Sequence, residues 1–294
     1  MRAPAGNRCV CLVAVLVVAF FASGTATADQ AQIASVLSKE YKNKVVILRG
    51  FYTNSNLRFD SKGNPIGRAH PGYWSSDGML QITDLSFGLG GVLRIGAKRI
   101  VNAFDDKRGV FQNVTTKNQV RIEVELDRSW QDATPVEQLL GKILSSDVKE
   151  VLDVLPDYWQ WCAADGIHQG QPGDWKCGKP GMDETSTAPK FILPDGTAVY
   201  RVKNGVKPPK LIDGPDPEFS QAARTIHLQG TLVMWLVVDE KGIPAHLRIL
   251  RPLGGGLDDN AAELLRTWRF RPGTLDGHPV PVQITVDVNF KLFQ

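Results

Sequence analysis

Near its C-terminal end the chain alternates apolar and polar residues without a break. Val282, Ile284, Val286, Val288, Phe290 and Leu292 fall on one register, and Gln283, Thr285, Asp287, Asn289 and Lys291 on the other. A period of two places one row against a core and the other toward water, so this stretch reads as a half-buried strand. Upstream, "TLVMWLVVDEKGIPAHLRILRP" breaks at Asp239-Glu240-Lys241-Gly242 into the two arms of a β-hairpin. The first arm is apolar on both faces and reads as a central strand. Between hairpin and last strand, "GGGLDDNAAELLRTWRF" has helical spacing: Ala261, Leu264, Leu265 and Trp268 share one face. Asp258 is placed as its N-cap, with Asp259 and Glu263 near the positive end of the dipole. Residues 217–294 therefore predict a small antiparallel sheet with one helix packed across a face.

The N-terminal half carries a different rhythm. A polar helix, "AQIASVLSKEYKN", leads into "KVVILRGFY", and strand-like runs follow at "GMLQITDL", "GVLRIGAKRIVNAF", "GVFQNV" and "NQVRIEVEL". Turn clusters such as "DSKGN" and "DDKRG" separate them. Thr134, Pro135 and Glu137 form a capping box for "PVEQLLGKIL", and "SSDVKEVLDVL" restarts the helical pattern before Pro156. The fold class is α+β: residues 29–160 form a β-rich domain, either a small twisted sheet or a partly open barrel, closed by terminal helices. Tyr73 and Trp74, with Phe51 and Tyr52, read as packing aromatics or as a ligand platform, packing being the simpler reading.

Residues 1–28 have a basic start at Arg2 and Arg8, the apolar run "CVCLVAVLVVAFFA" and Ala26-Thr27-Ala28 before Asp29, the parts of a cleavable secretory signal. An uncleaved anchor is the alternative, since Cys9–Ala28 is uncharged and a span needs about 20 residues. Either way the remainder lies outside the inner membrane, in the periplasm. There Cys162 and Cys177 are expected to form a disulfide, closing a Gly-rich loop and contributing about 3 kcal/mol. Residues 161–216 join the two domains. Pro208, Pro209, Pro215 and Pro217 make residues 204–217 a semi-rigid spacer with a reach of roughly 43 Å.

The formal net charge of +3 falls further once Arg2 and Arg8 are removed, and no Lys/Arg run is present, which argues against nucleic acid as a partner. Catalytic patterns are missing too. No Gly-x-Ser-x-Gly and no His-Glu-x-x-His occurs, and the triple glycine 254–256 is not followed by Gly-Lys-Ser/Thr. The reading is a protein that is not an enzyme and needs no cofactor and no metal.

Residues 217–293 resemble the C-terminal domain of the TonB energy-transducer family. The resemblance rests on Gly230 before the first strand, the Asp239-x-x-Gly242 turn, Leu257-Asp258 at the helix start, and Trp268-x-Phe270-x-Pro272 followed by Gly277-x-Pro279-Val280. It implies that the last strand pairs with an extended segment of an outer-membrane TonB-dependent transporter, a β-augmentation in which backbone groups supply affinity and side chains select. The implied contacts are Gln283, Thr285, Asp287 and Asn289. The family's Tyr-Pro before its first helix is replaced by Phe219-Ser220. Full transducers carry an uncleaved anchor with a histidine and a long periplasm-spanning segment. Here the apolar segment looks cleavable, no histidine precedes His70, and the spacer is short. These departures predict a periplasmic binding module without the motor. An anchored transducer and an envelope scaffold that dimerises through the same strand remain the alternatives. Contact with the membrane itself is expected only if the N-terminal segment is uncleaved.

Overall fold

The computed structural model describes residues 28–127, 129–159, 190–193 and 195–292. The expected export signal up to residue 27 and the expected Cys162–Cys177 disulfide lie outside them. Among the described residues no helix is long and apolar enough to cross a membrane.

The described residues open with helix α1 (Ala28–Tyr41), followed by β1 (Val45–Leu48), β2 (Asn56–Phe59), the one-turn α2 (Trp74–Asp77), β3 (Met79–Phe87), β4 (Val92–Asp105), β5 (Val110–Glu125), α3 (Thr134–Ile143) and β6 (Leu144–Ser145). The six strands make one curled sheet in the order β2-β5-β4-β3-β1-β6, a half-barrel as the strand pattern predicts. One face is covered by α1 and α3: Ile33, Leu37, Leu139 and Leu140 pack on Leu80, Ile82, Ile95 and Ile122. Two expected strands, 109–114 and 118–126, are one continuous strand, β5, broken by a bulge where residues 116–118 oppose Arg99. The helix expected from Thr134 includes that residue instead of being capped by it. Ala133 holds the cap position without a side-chain bond, and Asp132 accepts from the Thr134 amide at 2.9 Å. The second expected helix is a 3-10 turn over Val148–Val154.

The C-terminal half contains β7 (Lys190–Ile192), β8 (Ala198–Tyr200), β9 (Lys210–Asp213), α4 (Gln221–Thr225), β10 (Gly230–Val238), β11 (Pro244–Arg251), α5 (Leu257–Leu265), β12 (Arg269–Arg271), β13 (Gly273–Leu275), β14 (His278–Val280) and β15 (Val282–Phe290). β11, β10 and β15 run antiparallel with α5 across one face, and β10 is central, as its two apolar faces demand. In the hairpin turn Asp239 accepts from the amides of Lys241 and Ile243, and Gly242 has φ +81° with its Cα against the Phe270 carbonyl. Residues 204–217 are not a free spacer. Val206 is buried, Lys207 bridges Thr274, β9 pairs with β12, and Trp268 Nε1 donates to the Pro215 carbonyl at 3.1 Å. The prolines keep this segment extended, but Val206 is buried and the backbone of β9 pairs with β12, so the expected reach is lost.

The two halves share a core. Trp74, Phe111 and Trp159 from the first pack in one cluster with Leu236, Leu265 and Phe290 from the second. The glycine run 254–256 forms the joint, with φ of +87°, +60° and +76°. It pairs with the projecting end of β4: Phe104 N–H donates to the Leu253 carbonyl and Gly255 N–H to that of Asn102, both at 2.8 Å. A Cβ at Gly254 would lie 2.0 Å from the Asn102 oxygen. These glycines form a turn before α5, closed by the Leu257 N–H donating to the Gly254 carbonyl at 3.1 Å, and they also permit the close backbone approach to β4.

Asp258 is not the N-cap. Gly256 holds that position, and Asp258 sits in the first turn of α5, reaching back to the Leu253 amide (2.8 Å) and the Gly254 amide (2.5 Å). Its neighbour Asp259 accepts from Tyr158 Oη at 3.0 Å and Trp159 Nε1 at 2.8 Å, tying α5 to the N-terminal half. Both carboxyls are buried. Desolvation pushes Asp258 up to about 8 and Asp259 up to about 7, against the pull of the hydrogen bonds each accepts.

The folded state therefore binds more protons than the unfolded chain above the ordinary carboxylate value of 3.8, so stability falls as pH rises through about 7 and 8 and then levels. Exposed carboxyls held low by local hydrogen bonds, such as Asp60, act only in the acid range. Urea unfolding between pH 5 and 8 should show declining stability, and Asp259→Asn should flatten the slope by about 1 kcal/mol or more across that range. A wild-type stability that is level or rising there overturns this reading.

Candidate functional site: the open edge of the last strand

The side chains of β15 divide as the alternation predicts. Val288 and Phe290 are buried in the cluster that includes α5, with Ile284 and Val286 partly so, Val282 is buried on the same row, and Thr285, Asp287 and Asn289 are exposed on the far face. Its partner β10 runs alongside for the whole length, from Gly230 opposite Phe290 to Val238 opposite Val282.

The other edge differs along its length. β8 pairs in parallel with β15 through Tyr200 opposite Val282, and the Tyr200 N–H donates to the Pro281 carbonyl at 2.9 Å. Backbone groups of successive strand residues point to opposite edges, so residues 283, 285, 287 and 289 direct their N–H and C=O the same way as residue 281. β8 ends at Tyr200. Beyond it, the backbone groups of Thr285, Asp287 and Asn289 face an edge that carries no strand among the described residues.

Gln283 is set apart from the other three. It lies opposite Val237, whose side chain packs with Trp235, Leu193 and Val199 in a small cluster that seats the β7–β8 hairpin on the outer face. Gln283 is only half-exposed, and its Oε1 is buried without a hydrogen-bond partner among the described residues. Asn289, at the opposite end of the strand, accepts from Thr231 Oγ1 at 2.6 Å. Coverage by a hairpin from residues 190–200 had no signal in the last strand itself. "TAVYRV" shows that a strand exists there but not which edge it meets.

Phe219 and Ser220 sit on the core side of the sheet. Phe219 packs edge-on against Phe290, with ring centroids 5.4 Å apart, and the Arg224 guanidinium lies 5.3 Å above its ring. Ser220 caps α4, accepting from the Ala223 amide at 2.9 Å, and its hydroxyl donates to the Gly255 carbonyl. Phe219 thus flanks the C-terminal end of β15 on the face opposite Thr285, Asp287 and Asn289. The aromatics of the N-terminal half resolve in favour of packing: Trp74 is buried, with Trp159 edge-on at 4.9 Å and Phe111 at 5.1 Å, and Tyr73 Oη donates to Glu263 at 3.0 Å.

β11, β10 and β15 lie under one helix within a five-stranded sheet of order β11-β10-β15-β8-β7, and among the described residues β15 is open on its second edge beyond the end of β8. Residues 215–292 match the family described as Gram-negative bacterial TonB protein C-terminal, and they form a TonB C-terminal domain. Protein TonB of Vibrio cholerae serotype O1 is 32% identical over 92 residues, an alignment that takes in 29% of this chain and 38% of that protein's length. Among solved structures, the Pseudomonas aeruginosa TonB C-terminal domain covers 32% of this chain and 96% of its own at 13% identity, with a TM-score of 0.25. That superposition is poor, and the domain assignment rests on the sequence matches.

Proposed function

We propose that the protein works in the periplasm, where its TonB C-terminal domain takes up an extended segment of an outer-membrane TonB-dependent transporter by strand addition. The observation that carries this reading is the edge at Thr285, Asp287 and Asn289, whose backbone groups face away from β10 beyond the end of β8. Unpaired backbone donors and acceptors on an exposed strand are the template that such pairing requires. The exposed hydroxyl, carboxylate and amide of the same residues supply the selection, and Phe219-Ser220 stands where the family carries Tyr-Pro. The chemistry is binding without catalysis, and supports transport across the envelope.

The same reading divides the chain into an export signal at 1–28, a β-rich domain at 29–160, a joining segment at 161–216 stapled by Cys162–Cys177, and the binding domain at 217–294. A protein recovered from the envelope with a mass beginning at Asp29 and two hydrogens light would support both the cleavage and the disulfide. A full-length mass in the inner membrane would favour an anchored transducer instead.

Thr285→Pro tests the strand addition. Its amide faces the open edge, so proline removes no ladder bond to β10 but does remove a donor from the incoming strand. Capture of a transporter from outer-membrane extract should fall about tenfold or more, with the circular dichroism spectrum and Tm close to wild type. Undiminished capture by a folded variant sinks the proposal. Wild-type dimers that are lost in the same variant would favour homodimerisation through this edge.

A further inference from the structure

A cleft of about 760 Å³ opens where the sheet of the N-terminal half meets the first turn of α4. Its walls include Ser55, Tyr73, Arg99, Lys117, Gln119 and Ser220. Arg99 is only 5% exposed, and its guanidinium donates to two neutral carbonyls, those of Asp77 and of Asn54, the latter at 3.1 Å. No carboxylate lies within ion-pairing distance of it among the described residues. A buried guanidinium keeps its charge, which the two neutral carbonyls do not offset and which the Asp77 carboxylate meets only through space. The Asp77 carboxylate also lines the cleft, but it is engaged by Ser76 Oγ at 2.5 Å and by the Tyr73 amide at 3.4 Å.

The strand geometry around Arg99 is irregular in the same place. Lys98 pairs with Gln119 and Ile100 with Thr115, so Thr116, Lys117 and Asn118 bulge outward opposite Arg99 alone. Thr116 Oγ1 closes the bulge by donating to the Arg99 carbonyl at 2.9 Å while accepting from the Asn118 amide at 3.2 Å. Such bulges re-aim side chains, and this one places exposed Lys117 at the mouth of the cleft, free of any ion pair among the described residues. A second cation thus joins the buried one beside the Ser55 hydroxyl and the Gln119 amide.

We propose that this cleft binds a small anion, a carboxylate or a phosphate group, against the Arg99 guanidinium, with Lys117 and Ser55 as further donors. Guanidinium and ammonium groups lining one cleft with hydroxyl and amide donors match the charge and the acceptor capacity of either group.

The test is a titration of the ¹⁵N-labelled full protein with sodium phosphate and, separately, sodium acetate, at ionic strength held constant with sodium chloride. Saturable amide shifts confined to Ser55 and residues 117–119 are expected. Phosphate alone would assign a phosphoryl ligand, acetate alone a carboxylate, and saturation by both a site that accepts either group. Lys117→Gln should weaken binding about fivefold and Arg99→Gln abolish it, while Lys107→Gln, on the distant β4–β5 turn, should leave it unchanged. Where Arg99→Gln does not fold, Lys117→Gln and Ser55→Ala carry the test. Non-saturable shifts, shifts spread over the surface, or affinity unchanged in both Lys117→Gln and Ser55→Ala would overturn the proposal.

Discussion

Replacing Trp159 with alanine should cost about 3–5 kcal/mol, one of the largest single losses open to this protein. The residue is fully buried, and its ring meets Trp74 edge-on at 4.9 Å and Phe111 at 5.9 Å. Its indole N–H is one of the two donors to Asp259. Alanine therefore leaves a cavity between the halves and removes half of the satisfaction of a buried carboxyl, two losses that compound. Trp159→Phe separates them, since it retains most of the volume and removes only the donor, and it should cost less than half as much. Equilibrium denaturation reads both values. A loss below about 1 kcal/mol in Trp159→Ala would mean that the aromatic joint does not hold the halves together.

The parts of the fold that were legible in the sequence are those fixed by local pattern. β15 announces itself by strict alternation, the β10–β11 hairpin by Asp239-x-x-Gly242, and α5 by its apolar face, because each depends on a period that survives without knowledge of any partner. β2 has only "NLRF" to mark it and pairs in parallel with a distant strand, β5, so nothing near it in the chain gives it away. The glycines at 254–256 show that unusual backbone is needed, yet the reason lies at Asn102 and Ala103, far away in sequence. The site divides in the same way. The exposed row on β15 follows from alternation, whereas the withdrawal of Gln283 under the influence of the β7–β8 hairpin is a tertiary fact. Residues 204–217 misled for a related reason: proline fixes local extension but says nothing about whether the extended chain is free or docked.

Phe290→Asp should abolish cooperative folding of the C-terminal sheet. The side chain is 2% exposed, packs edge-on with Phe219 at 5.4 Å, and belongs to the cluster that also contains Trp268, Leu265, Trp74 and Trp159. An aspartate there would be charged and unpaired in an apolar site, or protonated at the expense of a large pKa shift, and either route costs about 4 kcal/mol or more. Phe290→Leu keeps the site apolar and should cost only about 1–2 kcal/mol, which separates charge burial from shape. The same cluster carries a stronger consequence. Because its residues come from both halves, the wild-type protein should melt in a single transition, and the aspartate should remove that transition as a whole. A surviving melt of the N-terminal sheet in Phe290→Asp would show that the halves share contacts without sharing stability, and a wild-type-like transition would refute the burial argument itself.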